Sequence, residues 1–116
     1  MTAEARLYEV LSPLLPGKVF PDFAKAGTKL PYVVYQVVGG DPFNTLTGEA
    51  PEKQQVRVQV SAWAEGRLEV SQLGADIEAA IRAATDLQPT VLTGRLSLVD
   101  EETSYRGTRQ EFYLFC

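Results

Sequence analysis

Between residues 53 and 64 the chain alternates without a break. Val56, Val58, Val60, Ala62 and Ala64 fall on one face of an extended segment, and Arg57, Gln59, Ser61 and Trp63 on the other. Successive side chains of a strand point to opposite sides, so a strict period of two specifies a strand with one apolar face. A sheet that is apolar on one side needs a layer of other elements to cover it. The following segment has the pattern of such a cover: over residues 68–85, Val70, Leu73, Ile77, Ala80, Ile81 and Ala84 recur at spacings of three and four, the stripe of an amphipathic helix. Gly74 weakens that helix by about 1 kcal/mol relative to alanine.

The rest of the chain is read against this pair. Residues 3–12 predict a shorter helix, with Leu7, Val10 and Leu11 on one side, Thr2 as its N-cap and Pro13 ending or kinking it. Residues 19–31, VFPDFAKAGTKLP, hold two prolines and a glycine and no sustained period. They read as a structured connector, with Val19 and Phe20 tucked against the core. Residues 32–38, YVVYQVV, are apolar on both alternating faces except at Gln36 and predict a first strand covered on both sides. Residues 39–52 have no pattern and are longer than a compact hairpin needs, a length that accompanies function or disorder. Two further strands are expected at 95–99 and 107–115, joined by the acidic residues 100–102 and by 103–106. The order α-β-β-α-β-β predicts an α+β fold with one mainly antiparallel four-stranded sheet, two helices packed on one face, and residues 1–116 as a single domain.

Residue content removes whole classes of chemistry. The chain has no histidine, and its single cysteine is Cys116. It therefore lacks the usual general base near neutral pH, every Ser-His or Cys-His nucleophile pair, a thiol cluster for zinc or iron-sulfur, and an intrachain disulfide. The expectation is a protein with no metal, no cofactor and no enzymatic activity. Lys and Arg number 11 against 15 Asp and Glu, a formal charge of -4, which disfavours nucleic-acid binding as the main task but permits DNA to pass by a surface that repels phosphates. The opening MTAEARLYEVL has no basic-then-apolar build, and no apolar run approaches the length of a bilayer span. The expectation is a protein of a reducing cytoplasm, neither secreted by a standard signal nor set in a membrane.

Each remaining candidate site has a plainer explanation. Gly39 and Gly40 follow a strand but lack the helix and lysine of a phosphate-binding loop, so a flexible turn is favoured. Glu49 with Glu52, and Asp100 to Glu102, read as solvated loop charge, because nothing apolar nearby would shift a carboxyl. Arg57, Tyr105, Arg106 and Arg109 suggest an anion site, against which stands ordinary cross-strand pairing of Arg with Glu on a wet face. One feature fits a lone soluble domain poorly. The face of Arg57, Gln59, Ser61 and Trp63 is expected to adjoin that of Arg109, Glu111, Tyr113 and Phe115, the mixture of aromatics and Arg that marks protein interfaces. Equal weight falls on these rings being covered by the first helix or by residues 19–31.

Taken in order, VFPDFAKAGTKLP, PYVVYQVVGG with the following FNTLTG, VRVQVSAWA before a helix, and the closing YRGTRQEFYLF resemble the tail-completion or tail-terminator proteins of long-tailed bacteriophages and prophages. The similarity runs over nearly the whole chain, and residues 31–36 followed after a long loop by 59–64 are its most specific part. It implies a virion structural protein without catalytic residues. Such a protein is assembled in the bacterial host cytoplasm and forms a ring, commonly sixfold, at the head-proximal end of the tail tube. The ring ends tube growth and presents a surface to the head-tail connector, while DNA slides through. In such a ring one patch of each subunit meets a different patch of its neighbour until the rotation closes.

Within that frame, residues 41–52 are expected to carry much of the recognition. Phe43 and Leu46 would be apolar anchors and Asn44 and Thr45 backbone-bonding groups, in a loop that orders on assembly, and Arg57, Trp63 and Tyr113 of the strands are expected to join the interface. The alternatives are a head-tail connector or neck protein of the same virion class and, from another class, a small ligand-binding α+β module or carboxylate enzyme, which would need a pocket around a buried Glu or Lys.

Overall fold

A computed structural model describes residues 2–39 and 55–115. Two helices, α1 (Ala3–Leu11) and α2 (Arg67–Ala83), accompany five strands: β1 (Val19–Pro21), β2 (Tyr32–Val37), β3 (Gln55–Ala64), β4 (Thr90–Val99) and β5 (Arg106–Phe115). Short 3-10 turns follow each helix, at Ser12–Leu14 and Thr85–Leu87. The strands form one sheet in the order β1-β2-β3-β5-β4. β1 runs parallel to β2, and every other neighbouring pair is antiparallel.

The alternating run is the centre of this sheet. β3 lies between β2 and β5, and Val58, Val60, Ala62 and Ala64 are all buried on its inner face. Register places Tyr35 against Val60 and Val60 against Gln110, so the inner faces of β2, β3 and β5 form one continuous surface. Both helices cover it, as expected. α2 buries Val70, Gly74, Ile77 and Ile81 on β3 and β5, and α1 buries Ala3, Leu7 and Leu11 beside α2. Tyr8 of α1 meets Tyr35 with ring centroids 6.5 Å apart. Thr2 caps α1, its hydroxyl accepting from the amide of Ala5 at 3.1 Å.

Gly74 marks the closest approach of helix to sheet. A Cβ there would stand 2.9 Å from Cγ2 of Thr108 and 2.8 Å from Cδ of Arg95. The helix-propensity penalty at this position thus accompanies a contact that only glycine allows.

The sheet differs from the expected one in two respects. It has five strands and is mixed, not four and antiparallel, because residues 19–21 of the expected connector pair with β2. The amide of Val33 donates to the carbonyl of Lys18 and the amide of Asp22 to that of Tyr35, each at 2.9 Å. A three-residue strand ending in proline is too short to display a period, so its pairing is set by β2 rather than by its own pattern. Val19 is buried and Phe20 half-buried, as anticipated. The fourth strand begins at Thr90, five residues before the expected start, with register shifts against β5 between Val91 and Thr93 and between Thr93 and Leu96. Those irregularities, together with Gly94, break the alternation that would have revealed it.

β2 is also less enclosed than its composition suggests. Val33 and Tyr35 are buried on the inner face, whereas Tyr32 and Val34 on the outer face are only half-buried. Among the described residues, the outer face of the sheet carries no helix.

Candidate assembly face

On the uncovered side of the sheet, register sets out four rows of side chains across the strands. Tyr32, Trp63, Gly107 and Leu98 form one, and Val34, Ser61, Arg109 and Leu96 the next. Gln36, Gln59, Glu111 and Thr93 follow, and Arg57, Tyr113 and Thr90 complete the set. The expected adjacency of the Arg57–Trp63 face to the Arg109–Phe115 face is therefore present, with Arg57 opposite Tyr113 and Trp63 opposite Gly107.

Trp63 lies over Gly107. A Cβ on Gly107 would be 2.7 Å from Cε3 and Cζ3 of the indole, so the glycine lets the ring sit flat against the backbone of β5. Arg57 and Glu111 form a cross-strand ion pair, with Nε of Arg57 also donating to Oε2 at 3.1 Å, and Gln59 Nε2 donates to the other carboxylate oxygen at 3.2 Å. The Glu111 carboxylate raises the Arg57 pKa above its ordinary value, chiefly through the hydrogen bond it accepts. Arg57 belongs to a cross-strand pair on the wet face, the plainer of the two readings of the Arg cluster.

Arg109 is different. Its Nε is buried and meets no hydrogen-bond partner among the described residues. It stands between two shallow grooves. One, of about 340 Å³, is bounded by Tyr32, Trp63, Tyr105 and the segment Asp22, Phe23 and Ala24. The other, of about 450 Å³, is bounded by Arg57, Gln59, Leu96 and Glu111. Residues 22–24 thus border the face at the β2 side without closing it, while α1 lies on the opposite side of the sheet. Burial raises the Tyr32 pKa, with smaller contributions from Tyr105 and Asp100, so its phenol stays protonated.

The acidic residues 100–102 organise the β4–β5 turn. Oδ1 of Asp100 accepts from the amides of Glu102 at 3.0 Å and Thr103 at 3.4 Å, and Ser104 takes a positive φ of 63°. Among the described residues, no group of three His, Cys, Asp or Glu side chains is placed to hold a metal ion. What the face offers is apolar area and directed hydrogen bonds.

Of the residues singled out from the sequence, Arg57, Trp63 and Tyr113 share this face, while Phe43, Asn44, Thr45 and Leu46 lie outside the described residues. The described flanks of that segment are joined. The amide of Val38 donates to the carbonyl of Arg57 at 2.9 Å and the amide of Arg57 to that of Gly39 at 2.7 Å, so Gly39 and Gln55, the described residues on either side of that segment, stand at the Arg57 and Tyr113 end of the face. Sequence reasoning missed that Arg109 Nε meets no acceptor among the described residues, and the flanking role of Phe23. No local pattern encodes either, since both depend on which strands become neighbours.

The search of curated proteins finds no match. Among solved structures, a chain from the "Virion of native gene transfer agent (GTA) particle" has the same fold. It is 17% identical, with a TM-score of 0.54, and the match covers 97% of this chain and 92% of that one. The family model described as "Tail completion protein gp17" matches residues 3–112, which takes in both helices and most of the sheet. The chain belongs to the tail completion protein gp17 family, structural proteins of phage tails.

Proposed function

We propose that the protein closes a ring, sixfold when assembled, at the head-proximal end of a phage tail tube, where it stops tube growth and joins the tail to the head-tail connector. The family match over residues 3–112 carries this reading. The gene transfer agent particle supports it, since a chain of the same fold stands there in a virion.

The uncovered sheet face suits such a role. It combines half-buried Trp63, Tyr32 and Tyr113 with an Arg109 whose buried Nε meets no acceptor among the described residues, and partner proteins commonly anchor on aromatics and arginine. A carbonyl or carboxylate of a tube or connector subunit would satisfy that donor. Phe43, Asn44, Thr45 and Leu46 extend the contact from the Arg57 end. The role requires no catalysis, and the net charge of -4 lets DNA pass through the ring without sticking. Assembly takes place in the bacterial host cytoplasm, and the finished protein resides in the virion.

Electron microscopy of the protein with and without tail tubes tests the reading. A ring at one end of each tube is expected. Binding to the connector alone would move the protein to the neck, and binding to neither would refute the proposal.

A further inference from the structure

The aromatic side chain of Phe23 is 75% exposed. The backbone holds it outward. Asp22 has a φ of 68°, a region that residues with a Cβ enter at some cost, and the amide of Phe23 donates to the carbonyl of Pro21 at 2.7 Å, a three-residue turn. Strain spent on presenting an apolar ring to water points to a contact made elsewhere. Lys25 and Lys29 follow Phe23, separated by a tight turn in which the amide of Thr28 donates to the carbonyl of Lys25 at 3.1 Å. Both lysines are exposed and form no ion pair among the described residues.

A groove of opposite character lies on the helix side of the sheet. It measures about 360 Å³, has an apolar floor of Leu14, Leu15, Pro31 and Leu73, and is rimmed by Glu69 and Asp76 of α2. Glu69 has no side-chain partner among the described residues, and Asp76 accepts only from Gln72, at 2.9 Å. The knob and the groove share no residue. Phe23 borders the uncovered sheet face and the groove belongs to the helical face, so within one chain they point apart.

We propose that Phe23 of one copy seats in the groove of Leu14, Leu15 and Leu73 of a second copy, with Lys25 and Lys29 opposite Glu69 and Asp76. The charge pattern selects the occupant: a basic apolar knob meets an acidic apolar socket, and both are present on this chain. Because the two patches differ, the contact is head-to-tail, the kind that generates a closed ring when its rotation closes. The inference deepens the ring reading and rests on it only in naming which surfaces join.

Sedimentation velocity on the full chain tests the contact, with circular dichroism to show that each variant is folded. Wild type is expected to self-associate as its concentration rises towards millimolar. Phe23→Asp should weaken association by about 30-fold or more, the loss typical of a central anchor. Lys25→Glu with Lys29→Glu, and separately Glu69→Lys with Asp76→Lys, should each weaken it by about tenfold. An equimolar mixture of the two charge-reversed proteins should regain association, since each knob then meets a socket of opposite sign. Wild-type assembly that Phe23→Asp leaves intact, or a mixture that associates no better than its components, overturns the contact and leaves the ring reading standing. A wild type that stays monomeric alone yet forms rings on tubes also overturns it, because the contact needs nothing but a second copy. Absence of rings on tubes despite self-association that responds to these variants refutes the tail-end role instead.

Discussion

Replacing Gln110 by methionine should make the protein more stable. Gln110 sits on the inner face of β5 at 1% exposure, opposite Val60, and its Nε2 donates to the carbonyl of Gly74 at 3.0 Å. Its Oε1 is buried with no partner among the described residues. Methionine of similar length gives up the one hydrogen bond, a loss of about 1 kcal/mol. The Gly74 carbonyl lies inside α2, where the helical ladder still engages it, so its other acceptor position is all that goes unused. Against this, removing an unmet buried acceptor recovers about 1–3 kcal/mol. The balance is a gain of about 1 kcal/mol, or about 4 °C in the thermal midpoint for a chain of this size. Urea unfolding at constant slope measures it, because a shifted midpoint with an unchanged slope is a change in stability alone. An unfolding free energy lowered by about 1 kcal/mol or more would refute the reasoning and show that Oε1 is satisfied in solution by an enclosed water.

Three further outcomes are expected. Gly107→Ala places a methyl 2.7 Å from the Trp63 ring and should lift the indole off β5, costing about 1 kcal/mol and shifting the emission of the only tryptophan; unchanged fluorescence would contradict the stacking. Arg6 donates to both carboxylate oxygens of Asp86, at 2.8 and 3.1 Å, and holds its carboxyl below the usual range. A folded pKa below the unfolded one means that this tie of α1 to the turn after α2 stabilises above the ordinary carboxylate range and is lost as pH falls through the depressed value. Asp86→Asn should therefore lower the thermal midpoint slightly at neutral pH and make no difference in strong acid, whereas a gap that persists into acid would contradict the pairing. Deleting residues 43–48 should leave a folded protein that no longer caps tubes, and normal tail length and infectivity after that deletion would remove the segment from the mechanism.

How much of this was legible beforehand depends on the length of each pattern. β3 and α2 repeat their periods over ten and seventeen residues, and both were readable along with the inner and outer assignment of Val58 and Arg57. α1 was readable from Thr2 and the spacing of Leu7 and Leu11. β1 was not, because three residues carry no period and each pairs with a residue fourteen positions away. The first half of β4 was hidden by two register shifts. Of the candidate face, Arg57, Trp63 and Tyr113 were found because they alternate with buried neighbours, and Phe23 was passed over because its segment reads as connector.

The sequence by itself determined the class of elements, the side of β3 and α2 that faces the core, and the lack of imidazole and of clustered thiols, since each of these is a property of residue type or of local spacing. Only the tertiary structure decided that Arg109 Nε meets no acceptor among the described residues, that Trp63 lies on Gly107, and that a knob at Phe23 and a socket at Leu73 face opposite ways. Those facts come from strand order and register, and neighbours brought together across tens of residues leave no periodic trace in the chain that makes them.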